Sequence, residues 1–255
     1  MKSSYYKYFA ALLLFGSNGI VASNINLPSY EIVLLRLLLG SLFLITVFTV
    51  SRQRFTFYRN KHTCLYLFIS ASAMGASWML LYEAYQQVGI SIASLAYYCG
   101  PVIVMILSPF LFRETLTWPK IAGFLTVLAG MCLVNLQALD EGKTIWGLFC
   151  GLMSAFMYAL MVTANKKAKP ESGLENSLLQ LVIGSFIVVA FVSMQKNFVL
   201  SLTTIDWIPV LLLGLLNTGI GCYLYFSSIT DLPVQTVAIC GYLEPLSAVV
   251  FSVLF

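Results

Sequence analysis

The chain has 255 residues, of which 60% are hydrophobic and only 9% charged, with a mean hydropathy of +0.89. An average soluble domain carries roughly 25% charged residues, so this composition excludes a soluble fold and leaves no room for a separate catalytic domain. The formal charge of +4 is scattered through short segments between apolar runs, which fits membrane topology and argues against nucleic acid as a partner.

Long apolar runs without period-2 alternation predict membrane-spanning α-helices of about 20 residues and argue against a β-barrel. Nine spans are expected, near 7–25, 31–50, 63–86, 91–112, 118–138, 145–165, 177–195, 207–229 and 234–255. Lys2 and Lys7 ahead of an apolar run ending in Val21, Ala22 and Ser23 also match a signal-peptide pattern. Asn18, Asn24 and Asn26 suit a polar-lined first helix better. With the N-terminus in the cytoplasm, eleven basic residues fall on the cytoplasmic side, and only Lys143 and Lys196 lie outside. Arg36 sits within the second span.

Six cysteines lie inside apolar spans with no CxxC or Cys/His spacing, so they read as small core residues. The single histidine, His62, is in a basic loop, which leaves no multi-histidine metal site or histidine-based triad within one chain. No phosphate-binding loop of the Walker type is present, and no cofactor is expected.

The stretch from Leu80 to Arg113 is written again from Leu224 to Phe255, with Pro245 in place of Pro101 and Tyr242 in place of Tyr98. The prolines are 144 residues apart. The same ungapped shift matches Glu31 with Glu175, Gly40-Ser41 with Gly184-Ser185, and Gly75 with Gly219. Identity at this offset is only about one position in seven, yet helix starts, a Gly-Ser pair and both intramembrane prolines superpose. Five spans per unit put the second unit into the membrane from the opposite side, an arrangement typical of secondary carriers that work by alternating access. The expected division is residues 1–140 for the first unit and 141–255 for the second. The repeat calls for a tenth helix beyond Phe255, and truncation is the expected reason that it is missing.

Several of these residues resemble the drug/metabolite transporter superfamily, specifically its EamA-type ten-helix members. They are Arg36 in LLRLLLGSLFL, the small-residue entry SIASLAYYCGP to the fourth span, Pro101, and the run RETLTWPKIAGFLTVLAGMCLV with Glu114, Leu116, Thr117, Gly123 and Gly130 in register. The resemblance covers nearly the whole chain. It implies an all-α integral membrane fold of two inverted five-helix repeats around a central cavity, with the fifth and tenth helices peripheral. It further implies transport of small organic solutes, commonly export, across a bacterial inner membrane.

Glu83 in the third span is the first choice for binding a substrate amine or for proton coupling, followed by Glu244 beside Pro245, since a carboxylate in hydrocarbon costs several kcal/mol unless it is used or paired. Glu244 could instead satisfy donors loosened by the proline. The competing reading of Glu83 is a structural pair with Arg36. Trp78, Tyr82, Tyr98 and Tyr242 suit an aromatic wall for amphipathic or cationic solutes, although core packing explains any one of them. Asn18 and Asn217 are polar amides in apolar spans. Arg36, Pro101 and Pro245 are expected to be structural or gating residues.

The function expected on these grounds is a secondary transporter of small amphipathic metabolites (amino acids, amines or drug-like solutes), acting as an exporter. The bilayer and the solute are its partners, with proton coupling and a homodimer open to it. A membrane scaffold or sensor, or a lipid-handling protein, is the alternative.

Overall fold

The computed structural model describes residues 2–119, 121–123, 125–126, 129, 145–194 and 207–254. Most of the expected fifth span lies outside the described residues, as do Lys120, Gly130, Cys132, Lys143 and Lys196.

Helix α1 (Lys2–Gly16) stops at Ser17, whose hydroxyl donates to the Leu14 carbonyl at 2.7 Å, and α2 (Asn18–Ser23) resumes the same crossing. Pro28 sets up α3 (Ser29–Val50), because a proline ahead of the first turn removes no needed N–H. The side chain of Asn60 accepts from the His62 N–H at 2.9 Å and starts α4 (Lys61–Tyr97). Gly89, at φ 77° and ψ 164°, turns the chain between the third and fourth spans. The Ser94 hydroxyl donates to the Tyr85 phenol at 3.4 Å across that turn. A straight helix would separate these residues by about 13 Å along its axis, so the two spans fold back on one another. After a break at Tyr98-Cys99, α5 (Gly100–Phe112) completes the fourth span.

The second unit has α6 (Ile145–Ala168), then α7 (Gly173–Ser193). Its third span begins as α8 (Trp207–Leu211), widens into a π-helical stretch (Leu212–Ile220) and closes as α9 (Gly221–Ile229). Its fourth is broken into α10 (Val234–Cys240) and α11 (Leu243–Leu254). Seven helical spans among the described residues are long and apolar enough to cross a membrane. The first crossing is additional to these, because the break at Ser17 divides it into two shorter pieces.

Polarity is arranged as a bilayer demands. Leu42, Phe68, Phe110, Phe186 and Val253 are exposed, whereas Ser70, Asn165, Asn176 and Gln180 are fully buried. In hydrocarbon such groups must find partners inside the protein, and Ser70 donates to the Gln180 side-chain oxygen at 3.2 Å. Asn165 and Asn176 exchange amide hydrogen bonds at 2.9 and 3.1 Å, and Asn176 also donates to the Phe226 carbonyl at 3.0 Å. This is a multi-pass, all-α membrane protein.

The two units run in opposite directions, and carboxylates at one end show it. Glu175, at the start of α7, accepts from the Thr56 N–H and hydroxyl, both at 2.6 Å, and from the Phe57 N–H at 2.9 Å, just past the end of α3. Glu114, just past the end of α5, accepts from the N–H groups of Val234 and Gln235 at the start of α10, at 2.7 and 3.0 Å. The start of each span therefore lies beside the end of its counterpart. Ser4 donates to Asp231 at 2.7 Å at this same end, and Lys166 donates to the Thr230 and Leu232 carbonyls at 2.5 and 2.6 Å. Arg52, Lys61, Arg113 and Lys167 make this the basic end of the bundle.

Packing exchanges between the units in the same way. The first crossing packs against α9 and α11, and α6 packs against α4 and α5. Gly75 and Gly184 let α4 and α7 approach until a Cβ on Gly75 would lie 2.9 Å from the Gly184 carbonyl oxygen. Gly151 faces inward, against Ala93 and Ala96.

Candidate functional site

Pro101 and Pro245 each lack the N–H that would bond the carbonyl four residues earlier, those of Tyr97 and Gly241. Both helices break there, α4 ending at Tyr97 and α10 at Cys240. The two breaks touch: the Tyr242 phenol donates to the Tyr98 carbonyl at 2.9 Å, so a side chain at one break bonds the backbone beside the other.

Glu244 lies in the first turn of α11, immediately before Pro245, and is half-buried. Among the described residues its carboxylate forms no hydrogen bond. It acts electrostatically on the phenols of Tyr8, Tyr85, Tyr97, Tyr98 and Tyr158, and the Arg36 guanidinium acts on it in turn. The position related to it by the repeat is Gly100, where a Cβ would lie 2.7 Å from the Tyr158 ring. One unit thus fills the position with a neighbour's tyrosine and the other with an acid, which leaves a single carboxylate at the crossing point.

Tyrosines cluster near the breaks. Tyr97 packs edge-on against Tyr158 at 5.5 Å between ring centroids, and Tyr8 lies 5.6 Å from Tyr225. The Tyr158 and Tyr225 hydroxyls are 3.3 Å apart, while the Tyr8 hydroxyl donates to the Val237 carbonyl at 2.8 Å on the broken helix. Tyr82 meets Tyr85 at 5.3 Å. Tyr242 is 1% exposed, whereas Tyr98 and Glu244 keep accessible surface.

Arg36 is 6% exposed. Its Nε donates to the Thr218 hydroxyl at 2.9 Å in the π-helical stretch, and its guanidinium stacks over the Trp78 ring at 4.6 Å. Two of the sequence-selected residues, Trp78 and Arg36, therefore meet each other. Arg36 does not pair with Glu83 among the described residues. Glu83 instead accepts from Gln87 at 3.1 Å and from the exposed Trp146 indole at 3.2 Å. Its partners belong to its own helix and to the start of α6.

Asn18 and Asn217 also meet. The Asn217 amide donates to the Asn18 side-chain oxygen at 2.9 Å and lies 3.0 Å from both the Leu14 carbonyl and the Ser17 hydroxyl. The break in the first crossing is thereby tied to the widened turn around Asn217. Tyr8 and Ser17 were not singled out by sequence. Tyr8 follows Lys7 near the chain start and reads there as an interfacial aromatic, and nothing local signals a partner at Val237.

A family model described as the EamA-like transporter family matches residues 3–136 and again residues 145–255. A protein named Uncharacterized transporter YxxF, from Bacillus subtilis (strain 168), is 27% identical over 256 residues, covering 98% of this chain and 80% of that protein. Another from the same organism, Uncharacterized transporter YetK, is 26% identical over 259 residues, covering 98% and 78%. A solved crystal structure superposes with a TM-score of 0.81 at 17% identity, covering all of this chain and 88% of that one, which supports the fold. With both halves matched by one family model and broken helices crossing at their repeated prolines, the chain belongs to the EamA-like transporter family and is a membrane transporter.

Proposed function

We propose that this transporter is a secondary carrier for small amphipathic solutes bearing an amine, moved by alternating access of the two inverted units, with Glu244 as the solute's ionic anchor. The observation that carries the reading is the single half-buried carboxylate of Glu244 at the junction of two broken helices. It has no hydrogen-bond partner among the described residues, and the phenols of Tyr8, Tyr97, Tyr98 and Tyr158 lie within its electrostatic reach. A cationic amine would satisfy it, and tyrosine faces attract cations and apolar surface together. Trp78 and Tyr82 extend that cluster. Tyr98 and Tyr242 tie the two breaks, so loosening their bond would let the units rock.

Glu83 is assigned no role in binding, because Gln87 and Trp146 already occupy it. Asn18 and Asn217 hold the first crossing to the π-helical stretch. The basic end faces the cytoplasm of a bacterial inner membrane by the positive-inside rule, and the carrier acts as an exporter. Proton coupling through Glu244 is part of the same proposal, since a carboxylate that releases an amine in hydrocarbon is stabilised by taking a proton.

The test is a thermal-shift series on the purified protein with primary amines, amino acids, nucleosides and neutral isosteres, followed by counterflow in liposomes with whichever solute shifts the transition. Amine-bearing amphipaths should stabilise the protein and exchange across the bilayer. Stabilisation by neutral isosteres alone, or by none of the set, would refute the anchor.

A further inference from the structure

The basic end carries a cavity, separate from the helix crossing. A cleft of about 330 Å³ lies between the loop that follows α3 in the first unit and the turn between α6 and α7 in the second. That volume is at the lower end of ordinary small-molecule sites, roughly 300–1,000 Å³. Lys167, Lys169 and His62 supply its cationic side, and Asn60 and Thr63 add neutral polar groups.

The two adjacent lysines are used differently. Lys166 donates to the Thr230 and Leu232 carbonyls, which commits its ammonium to the bundle. Lys167 lies over the Tyr66 ring at 5.9 Å, and His62 packs on the same ring at 4.5 Å, so one aromatic side chain holds two cation-capable groups at the cleft. Neither Lys167 nor Lys169 forms an ion pair among the described residues. Glu175 also lines the cleft, but its carboxylate already accepts three hydrogen bonds from Thr56 and Phe57, and Glu171 is exposed. Arg52, Arg54, Arg59 and Lys61 on the adjoining loop add further positive potential.

The cleft also lies at the end of a candidate membrane span, since Asn60, His62 and Thr63 flank the start of Lys61–Gly89. Tyr58 is 64% and Leu65 57% exposed, apolar neighbours in sequence of Asn60 and Thr63, while Lys61 and Arg59 mark the aqueous side. Basic pockets at the ends of spans attract phosphate-bearing groups.

We infer that this cleft binds a phosphate group, held by Lys167, Lys169 and His62, and that the bound phosphate joins the loops of the two units at the basic end. Phospholipid headgroups and free phosphate share the chemistry, and the experiment separates them.

Unfolding temperature is measured for the protein in detergent with inorganic phosphate against chloride at matched ionic strength, and with phosphatidylglycerol against diacylglycerol, which lacks the phosphate. An upward shift of several degrees is expected with one or both phosphate probes and none with diacylglycerol. Response to inorganic phosphate identifies a free-phosphate site, and response to phosphatidylglycerol alone identifies a lipid headgroup site. The shift should disappear in Lys167→Gln/Lys169→Gln and persist in Arg52→Gln/Arg54→Gln. Lys169→Gln alone, at an exposed position, replaces the double variant should that one not fold, and it should reduce the shift by at least half. The inference is overturned by no shift with either phosphate probe, an equal shift with diacylglycerol, or a shift retained in the lysine variants. An equal loss in the arginine variant would also overturn it, because that marks diffuse attraction with no site.

Discussion

The phenol of Tyr242 donates to the backbone carbonyl of Tyr98 at 2.9 Å, and the two residues hold the same place in units 144 positions apart. The bond is one-directional: a side chain from one repeat serves the backbone of the other. Tyr242→Phe should therefore destabilise the protein by about 1 kcal/mol, the usual net worth of a hydrogen bond, because the Tyr98 acceptor is only part-buried. Tyr98→Phe keeps the backbone acceptor and should cost less. Unfolding of the two variants in detergent checks the contrast, and equal losses would show that the bond contributes little.

Glu175 is 1% exposed and receives three hydrogen bonds from Thr56 and Phe57 of the other unit. Glu175→Ala removes the acceptor for two backbone N–H groups and should cost about 3 kcal/mol. Glu175→Gln keeps an accepting oxygen, and its amide can donate to the Thr56 hydroxyl, so less than half that loss is expected. Protease cutting within residues 51–60 should rise in Glu175→Ala and stay near wild type in Glu175→Gln.

Close approach of α4 and α7 depends on having no Cβ at Gly75, where one would lie 2.9 Å from the Gly184 carbonyl oxygen and 3.0 Å from the Ile187 Cβ. Backbone cannot give way as a flexible side chain does. Gly75→Ala should cost about 1–3 kcal/mol as overpacking. At Gly19 a Cβ would meet nothing within 4 Å, so Gly19→Ala should leave stability unchanged or raise it slightly. Thermal unfolding of the pair measures the difference.

The architecture was legible because it is written in features a sequence shows directly. The prolines at 101 and 245 carry the spacing, and the structure breaks both helices just ahead of them. Glu31 and Glu175, matched by the same shift, are both buried, at 4% and 1% exposure. The partners of the polar side chains were not legible. Arg36 finds Thr218, Tyr8 finds Val237, and Glu114 finds Val234 and Gln235, all more than 100 residues away. Helical spacing exposes only neighbours three or four positions apart. Helical spacing put Glu83 first, with Met79, Gln86 and Gln87 on its side of the helix, and gave no sign that the Trp146 indole would meet it. Only the positions of Trp146 and of the second broken helix separate Glu83 from Glu244.

Flux of an amine-bearing solute into liposomes, compared among wild type, Glu244→Gln and Glu83→Gln, tests the account most directly. Glu244→Gln should lower flux at least tenfold while the protein still inserts and unfolds at a similar temperature, and Glu83→Gln should stay within twofold of wild type. Wild-type flux in Glu244→Gln, or a loss in Glu83→Gln as large as that in Glu244→Gln, would contradict the account.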